Sequence, residues 1–589
     1  QGVLNAEAAL AISPARAGDL TRLPPSDPSW PWLSLLFGQG GVELAAGADQ
    51  RRRAMFALEL TQMAQRVAAV EQALPSPERP VDAIGPAERN RYLEAALDAG
   101  NPSKALRAEL ERHLGRKAAA APAAASARVH RIRRKIVEPG APPRRLRVFA
   151  LDPSMAKRLD TLPVNETVLT LPWDDHPEAG ADAPGPLRPG PVGEDLEVVD
   201  IDPASGKAYD PIDLNHPWLL AQNGVAPSEG NPKFHQQMVY AVAMKTIGAF
   251  EKALGRRALW APLRRRKADG SYVGELPVRR LRIYPHALRA ANAYYSPDKV
   301  ALLFGYFPAA SKQGDATAPG SMIFSCLSSD IISHEMSHAL LDGLHRRFQE
   351  NSNPDVAAFH EGFADIVAIF QHFTIPELVR FEIGRARGRL NAATMLAGLA
   401  AQFGEGRGIG GALRNYLSEE TRSRRYATTT EPHDRGEILV LAVYDAFLAI
   451  VQRRTADLIR LATGGSGILP SGALHPDLVD RLGDETCKAA DQVLRMCIRA
   501  LDYCPAVDIT FEEYLRAIIT ADVDLVPDDP FGYRVAFMEA FRARGIPMRS
   551  VRTVSTESLT WNTPEINDPP WVAKAFAGID FDQIGRAHV

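Results

Sequence analysis

Residues 328–365 read SSDIISHEMSHALLDGLHRRFQENSNPDVAAFHEGFAD, and within them His334-Glu335-Met336-Ser337-His338 has the form HExxH. On a helix, side chains at i and i+4 lie one above the other on the same face. Both imidazoles can therefore reach one ion, with Zn–N of about 2.0–2.1 Å. Glu335 sits roughly 100° around the helix from His334, beside the ion rather than on it. Ser328 or Ser329 supplies an N-cap, and the helix is expected to end near Gly343. A second helix is predicted from about Asp355 to Phe373. Val356, Phe359, Phe363, Val367 and Phe370 form its core face, and Glu361 and Asp365 share another.

A catalytic zinc takes three protein ligands and keeps one position open. Four residues compete for the third place. His345 lies seven residues after His338, which does not fit the metzincin spacing. Asp342 is a turn too far along the helix and reads as a structural hydrogen-bonding residue. His360 is about 100° around its helix from Glu361 and serves only if that helix is rotated. Glu361 fits best, because Asp365 one turn later can accept the outer N–H of a ligating imidazole and fix its tautomer.

The chain around this stretch has 589 residues, 46% hydrophobic and 24% charged, with a formal net charge of −3. That length allows two to four domains, and the charge balance gives no overall pull toward nucleic acid or anionic membrane. The four cysteines, Cys326, Cys487, Cys497 and Cys504, form neither a disulfide framework nor a CxxC zinc motif. Their scarcity favours a reducing, cytoplasmic setting. No signal-peptide pattern opens the chain, but it starts at Gln1, so a secreted origin stays open. The longest apolar run, Ile438 to Val451, has 14 residues and contains Asp445, too short to span a bilayer.

Residues 1–116 read as helical, best over Arg51–Ala73 and Ala87–Leu114, with Trp30 and Trp32 as packing residues. An Ala/Pro-rich and basic linker is expected over 117–146, and the Arg131–Arg147 basic run lacks the aromatics of a nucleic-acid module. Strands are expected at 146–151, 166–171, 196–203 and 280–284, with 175–194 as an exposed loop. Ala291–Tyr295 and Lys299–Tyr306 read as an antiparallel pair whose edge could accept an extended peptide. Phe234–Leu254 is helical, and after the HExxH segment helices are expected at 392–403, 437–454, 476–501, 511–520 and 533–544. Strands before and helices after argue for an α+β fold: a β-rich lobe over 147–345, a helical lobe over 346–550 and a tail over 551–589.

HExxH followed by ExxxD resembles the gluzincin zinc metallopeptidases of thermolysin type, over about residues 230–450. Asn292-Ala293-Tyr294-Tyr295 is similar to the family's substrate-binding edge strand, Gly408–Arg414 to the segment carrying a substrate-binding arginine, and His433 to the histidine that stabilises the transition state. The resemblance implies a two-lobed zinc endopeptidase acting on a peptide or protein. His334, His338 and Glu361 would hold one zinc, with Asp365 behind one of the ligating imidazoles and Glu431 behind His433. Glu335 would be the general base, and Asn292, Ala293 and Arg414 would position substrate. The chain departs from the family in three places. Phe348-Gln349 stands where the family has an oxyanion-binding tyrosine, for which Tyr294, Tyr416 or Tyr426 could substitute. His372 replaces an acidic calcium ligand, so no structural calcium is expected. Residues 1–220 do not match, which raises the alternative of a latent protease covered by its N-terminal region; the missing tyrosine raises another, a zinc-bound pseudo-peptidase that binds a peptide or partner.

Overall fold

The computed structural model describes residues 144–561 apart from 160, 174–186, 267–271, 311–316, 391–393, 409–411 and 470. The expected N-terminal helices, Trp30 and Trp32, most of the linker and the end of the tail lie outside the described residues. The fold has mixed α and β content, with most strands before the HExxH helix and most helices after it.

Strand β1 (Arg144–Phe149) pairs antiparallel with β2 (Glu166–Leu171). The linker therefore ends earlier than expected. Arg144 is 1% exposed, donates to the Leu214 carbonyl at 2.8 Å and to Asn215 Oδ1 at 2.7 Å, and lies over the Trp173 ring. The exposed-loop expectation also fails over 187–194. Leu187, Val192 and Glu194 are buried, because bridges to Ile212 and Glu197 and an Arg257 clamp on Glu194 and Asp195 hold this segment inward.

The main sheet has five strands: β3 (Leu196–Val198), β4 (Leu281–Leu288), β5 (Ala293–Ser296), β6 (Ala301–Pro308) and β7 (Met322–Phe324). β4 runs parallel to β3 and β6, while β5 and β7 pair antiparallel with β6 on its other side. The predicted β5–β6 hairpin is present, in the register Tyr295 opposite Leu302. Two further short strands, β8 (Gly398–Leu399) and β9 (Arg414–Asn415), pair after the HExxH helix.

Helix α1 (Pro232–Leu254) packs under the sheet and against α2 (Ser329–Leu344), the HExxH helix. Ser328 caps α2 by accepting from the Ile331 N–H. Helix α3 (Pro354–His372) starts where Asn353 accepts from the Asp355 N–H at 2.7 Å, with Pro354 preset for the first turn. Then follow α4 (Pro376–Arg385), α5 (Ala401–Gly406), α6 (Pro432–Ala462), α7 (Pro476–Arg499), α8 (Phe511–Leu525) and α9 (Tyr533–Ala543). The helix expected over 392–403 is broken: its described part holds a short 3₁₀ turn, β8 and the start of α5. Pairing of β8 with β9 and a bond from the Ala400 N–H to Asp330 outweigh the helix propensity of this alanine-rich run. Helix α6 begins five residues before the expected Glu437, at Pro432.

The crossing of α3 and α6 is the tightest element of the helical half. Gly362 and Gly436 face each other there. A Cβ at Gly436 would lie 2.8 Å from the Ala358 carbonyl oxygen and 2.9 Å from the Gly362 nitrogen, backbone atoms that cannot rotate away. Overpacking of this kind costs about 1–3 kcal/mol. Gly436→Ala is therefore expected to lower the thermal unfolding midpoint and, because Glu361 adjoins Gly362, to weaken metal binding. An unchanged midpoint would mean that the helices separate freely.

Candidate metal centre

His334 and His338 project from α2 and Glu361 from α3, and one ligand atom from each lies within 4.8 Å of the other two. The His334 and His338 Nε2 atoms are 3.0 Å apart; Glu361 carboxylate oxygens lie 3.4 Å from the first and 3.7 Å from the second. Tetrahedral ligands at about 2.0–2.1 Å from an ion are separated by about 3.3 Å, so the three side chains lie close enough to share a metal ion.

The outer ring nitrogens show why these atoms are available. His334 Nδ1 is 2.7 Å from Asp365 Oδ1, a carboxylate that can only accept. His338 Nδ1 is 2.6 Å from His360 Nδ1. With both outer nitrogens donating, both Nε2 lone pairs point at one place together with the Glu361 carboxylate. A cation satisfies that arrangement. Protonation is its substitute in the absence of an ion. Burial would push His334 down, but the Asp365 charge and hydrogen bond and the Glu361 contact overcome this and take it up to about 10. Glu361, despite burial, is held well below the usual carboxylate range by His338 and His334.

His360, which the helical wheel turns away from the ligand face, stands behind His338, a contact that the wheel does not give. It is not a ligand. Its Nδ1 receives the His338 proton and its Nε2 lies 3.0 Å from the Gln349 amide. With the Nε2 proton on His360, that amide presents its oxygen, an assignment open to either flip. Burial first, with the His334 charge, takes His360 down to about 4, which suits a neutral acceptor. His345 instead donates to the Leu501 carbonyl at 2.7 Å, and Asp342 accepts from the Tyr295 hydroxyl at 2.7 Å.

Glu335 is buried beside this group. Its Oε2 accepts from the Tyr295 N–H on β5 at 2.9 Å, and burial pushes its pKa up to about 7. On the far wall, His433 Nε2 lies 3.4 Å from Glu361 and its Nδ1 lies 2.8 Å from Glu431 Oε1. Glu431 is also the N-cap of α6, accepting from the Asp434 N–H at 2.7 Å. Arg414 donates from Nη1 to both Asp365 oxygens at 2.5 Å, with Nη2 3.9 Å from Glu361.

His334, Glu335, His338, Glu361, Arg414 and His433 line one cleft of about 750 Å³, bordered by Asn292 and Ala293 on one side and by Leu399, Phe403 and Leu413 on another. The Ala293 N–H is held by Asn292 Oδ1 at 3.0 Å. Two of the three tyrosines considered for the oxyanion are committed elsewhere. Tyr416 is fully buried and donates to Asp365 at 2.6 Å, and Tyr426 donates to Asp355 at 2.7 Å. Tyr294, Phe348 and Gln349 all line the cleft, Phe348 with only 1% of its surface exposed. Asp330 pairs with His372 at 2.5 Å and accepts from the Ala400 N–H. Among the described residues no helix is long and apolar enough to cross a membrane.

No protein-family model matches this chain, and no curated protein matches it.

Removing a carboxylate that orients a metal-bound histidine lowers affinity about 10–100-fold. Asp365→Asn should therefore weaken metal binding by that factor in competition with a chromophoric chelator. Unaltered affinity would show that His334 needs no orienting partner.

Proposed function

We propose that the chain is a zinc-dependent endopeptidase of the thermolysin-like gluzincin type, with a β-rich lobe and a helical lobe meeting at the cleft. The observation that carries this reading is the convergence of His334, His338 and Glu361 within 4.8 Å, with the buried Glu335 beside them. The donor set suits zinc: two neutral imidazoles and one carboxylate, each oriented from behind. When bound, the ion would supply Lewis acidity to the scissile carbonyl and make the attacking water more acidic.

This chain's residues supply the rest. Glu335 Oε2 is held by the Tyr295 N–H, so Oε1 is left to take the water's proton and pass it to the leaving amine. A carboxylate raised toward neutrality by burial is well matched to exchanging a proton in both directions. His433 faces the same space. Its Nδ1 rests on Glu431, which holds the ring so that Nε2, when it carries a proton, donates to the developing oxyanion. Asn292 and Ala293 offer the open edge of β5 to an extended peptide, and Arg414, anchored on Asp365, reaches the cleft wall.

One observation favours a second reading, that of a zinc-bound peptide-binding module. Phe348 is buried where the family places its oxyanion tyrosine, and Tyr416 and Tyr426 are engaged elsewhere. A mixed peptide library separates the two. Cleavage by the zinc-loaded chain supports the peptidase, and intact peptides retained on a fully loaded chain support the module.

For the peptidase, Glu335→Gln should keep zinc and lose turnover, while His433→Ala should lower kcat by roughly 10²–10³ with little change in KM. Retained cleavage by the Glu335→Gln chain would overturn the mechanism.

A further inference from the structure

A second convergence of metal-binding atoms lies behind the sheet. His235 on α1, His286 on β4 and Cys326 in the turn ahead of α2 each offer one atom, all within 4.8 Å. Their exposures are 1%, 1% and 0%.

The outer nitrogens are again committed to acceptors. His286 Nδ1 is 2.6 Å from Asp200 Oδ1, and His235 Nε2 is 3.0 Å from the Glu229 backbone carbonyl. Asp200 is itself fixed by the Gln236 amide at 2.8 Å. With each ring donating outward, His286 Nε2 and His235 Nδ1 face each other as two lone pairs 2.8 Å apart. Two buried acceptors cannot satisfy each other; a proton or a metal cation must lie between them. The free thiol of Cys326 beside them distinguishes the two cases. A shared proton makes no use of the sulfur, whereas a borderline-soft cation takes two imidazoles and a thiolate together.

We infer that His235, His286 and Cys326 form a second zinc site, with three protein ligands. The carboxylate–histidine pair Asp200–His286 is the usual support for a metal-bound imidazole. Charge also balances in this dry interior. One Zn²⁺ enters as two protons leave, one from the Cys326 thiol and one from between the imidazoles. The dication is then offset by the thiolate and Asp200, without oxidation or reduction. The aromatic ring of Phe324 lies 4.8 Å from that of His235 and 5.6 Å from that of His286, closing the site on one side. Cys326 precedes the Ser328 cap of α2, so the ion would tie α1 and the sheet to the start of the HExxH helix.

Cobalt substitution of the full chain tests this, because the HExxH ligands contain no sulfur. A thiolate-to-cobalt charge-transfer band in the near ultraviolet is expected, with two ions per chain. The His334→Ala, His338→Ala double variant should lose one ion and keep the band, and Cys326→Ser should lose the band and keep one ion. If the HExxH site alone failed to bind, one ion and the band would remain. A loaded chain without the band, or a band that survives Cys326→Ser, overturns the second site. Should Cys326→Ser not fold, zinc X-ray absorption on the His334→Ala, His338→Ala chain decides. A sulfur neighbour at about 2.3 Å supports the site. A shell of nitrogen and oxygen only, or no bound zinc, leaves a shared proton as the occupant and refutes it.

Discussion

The Asp365 carboxylate is the interaction on which the cleft depends. It is 2% exposed and accepts from His334, from Arg414 and from the Tyr416 hydroxyl, which come from α2, β9 and the residue just beyond β9. A buried lone charge costs several kcal/mol, and only close partners with good hydrogen bonds offset it. Burial pushes Asp365 upward, yet the Arg414 and His334 charges hold it below the ordinary range, so it stays ionised. Its charge in turn sets the His334 tautomer and pins Arg414 at the cleft wall. Ligand orientation and the wall near Arg414 are thus parts of one electrostatic arrangement.

Backbone geometry supplies the second constraint. Because Gly362 and Gly436 let α3 and α6 approach backbone to backbone, Glu361 near the middle of one helix comes within 3.4 Å of His433 at the start of the other. Glu431 joins helix capping to the site. The same side chain ends the α6 N-terminus and accepts from His433. A cap that also holds a ring lining the cleft ties local helix stability to the position of that ring.

Much of this could be read from residue order, where a local period carries the information. The i, i+4 pairs His334/His338 and Glu361/Asp365, and the caps Ser328 and Asn353-Pro354, are short-range features and lie in the structure at those places. Other features depended on partners far along the chain. Arg144 read as linker because its acceptors, Leu214 and Asn215, are 70 and 71 residues away. The 392–403 run read as helix because the bond from Ala400 to Asp330 has no local signature, and Ala400 adopts φ 52°, which its residue type does not suggest. His360 was placed off the metal by its helical angle, but its bond to His338 depends on a rotamer that no spacing encodes. The His235, His286 and Cys326 group draws on three elements 51 and 40 residues apart, beyond any motif.

The edge strand bears on how a peptide could bind. The Tyr295 N–H is taken by Glu335 and the Ala293 N–H by Asn292. An open strand edge is a template for unwanted pairing, and filling its donors with side chains blunts it. A peptide adding alongside β5 would exchange the Asn292 bond for one of its own, and an exchanged hydrogen bond contributes only about 0.5–1.5 kcal/mol net. The Tyr295 bond is not open to exchange, since it positions Glu335. Under the proposed function, main-chain pairing would therefore set the direction and register of a peptide more than its affinity. Affinity would fall to the side-chain walls, where Leu399, Phe403 and Leu413 offer apolar surface and Arg407 a positive charge.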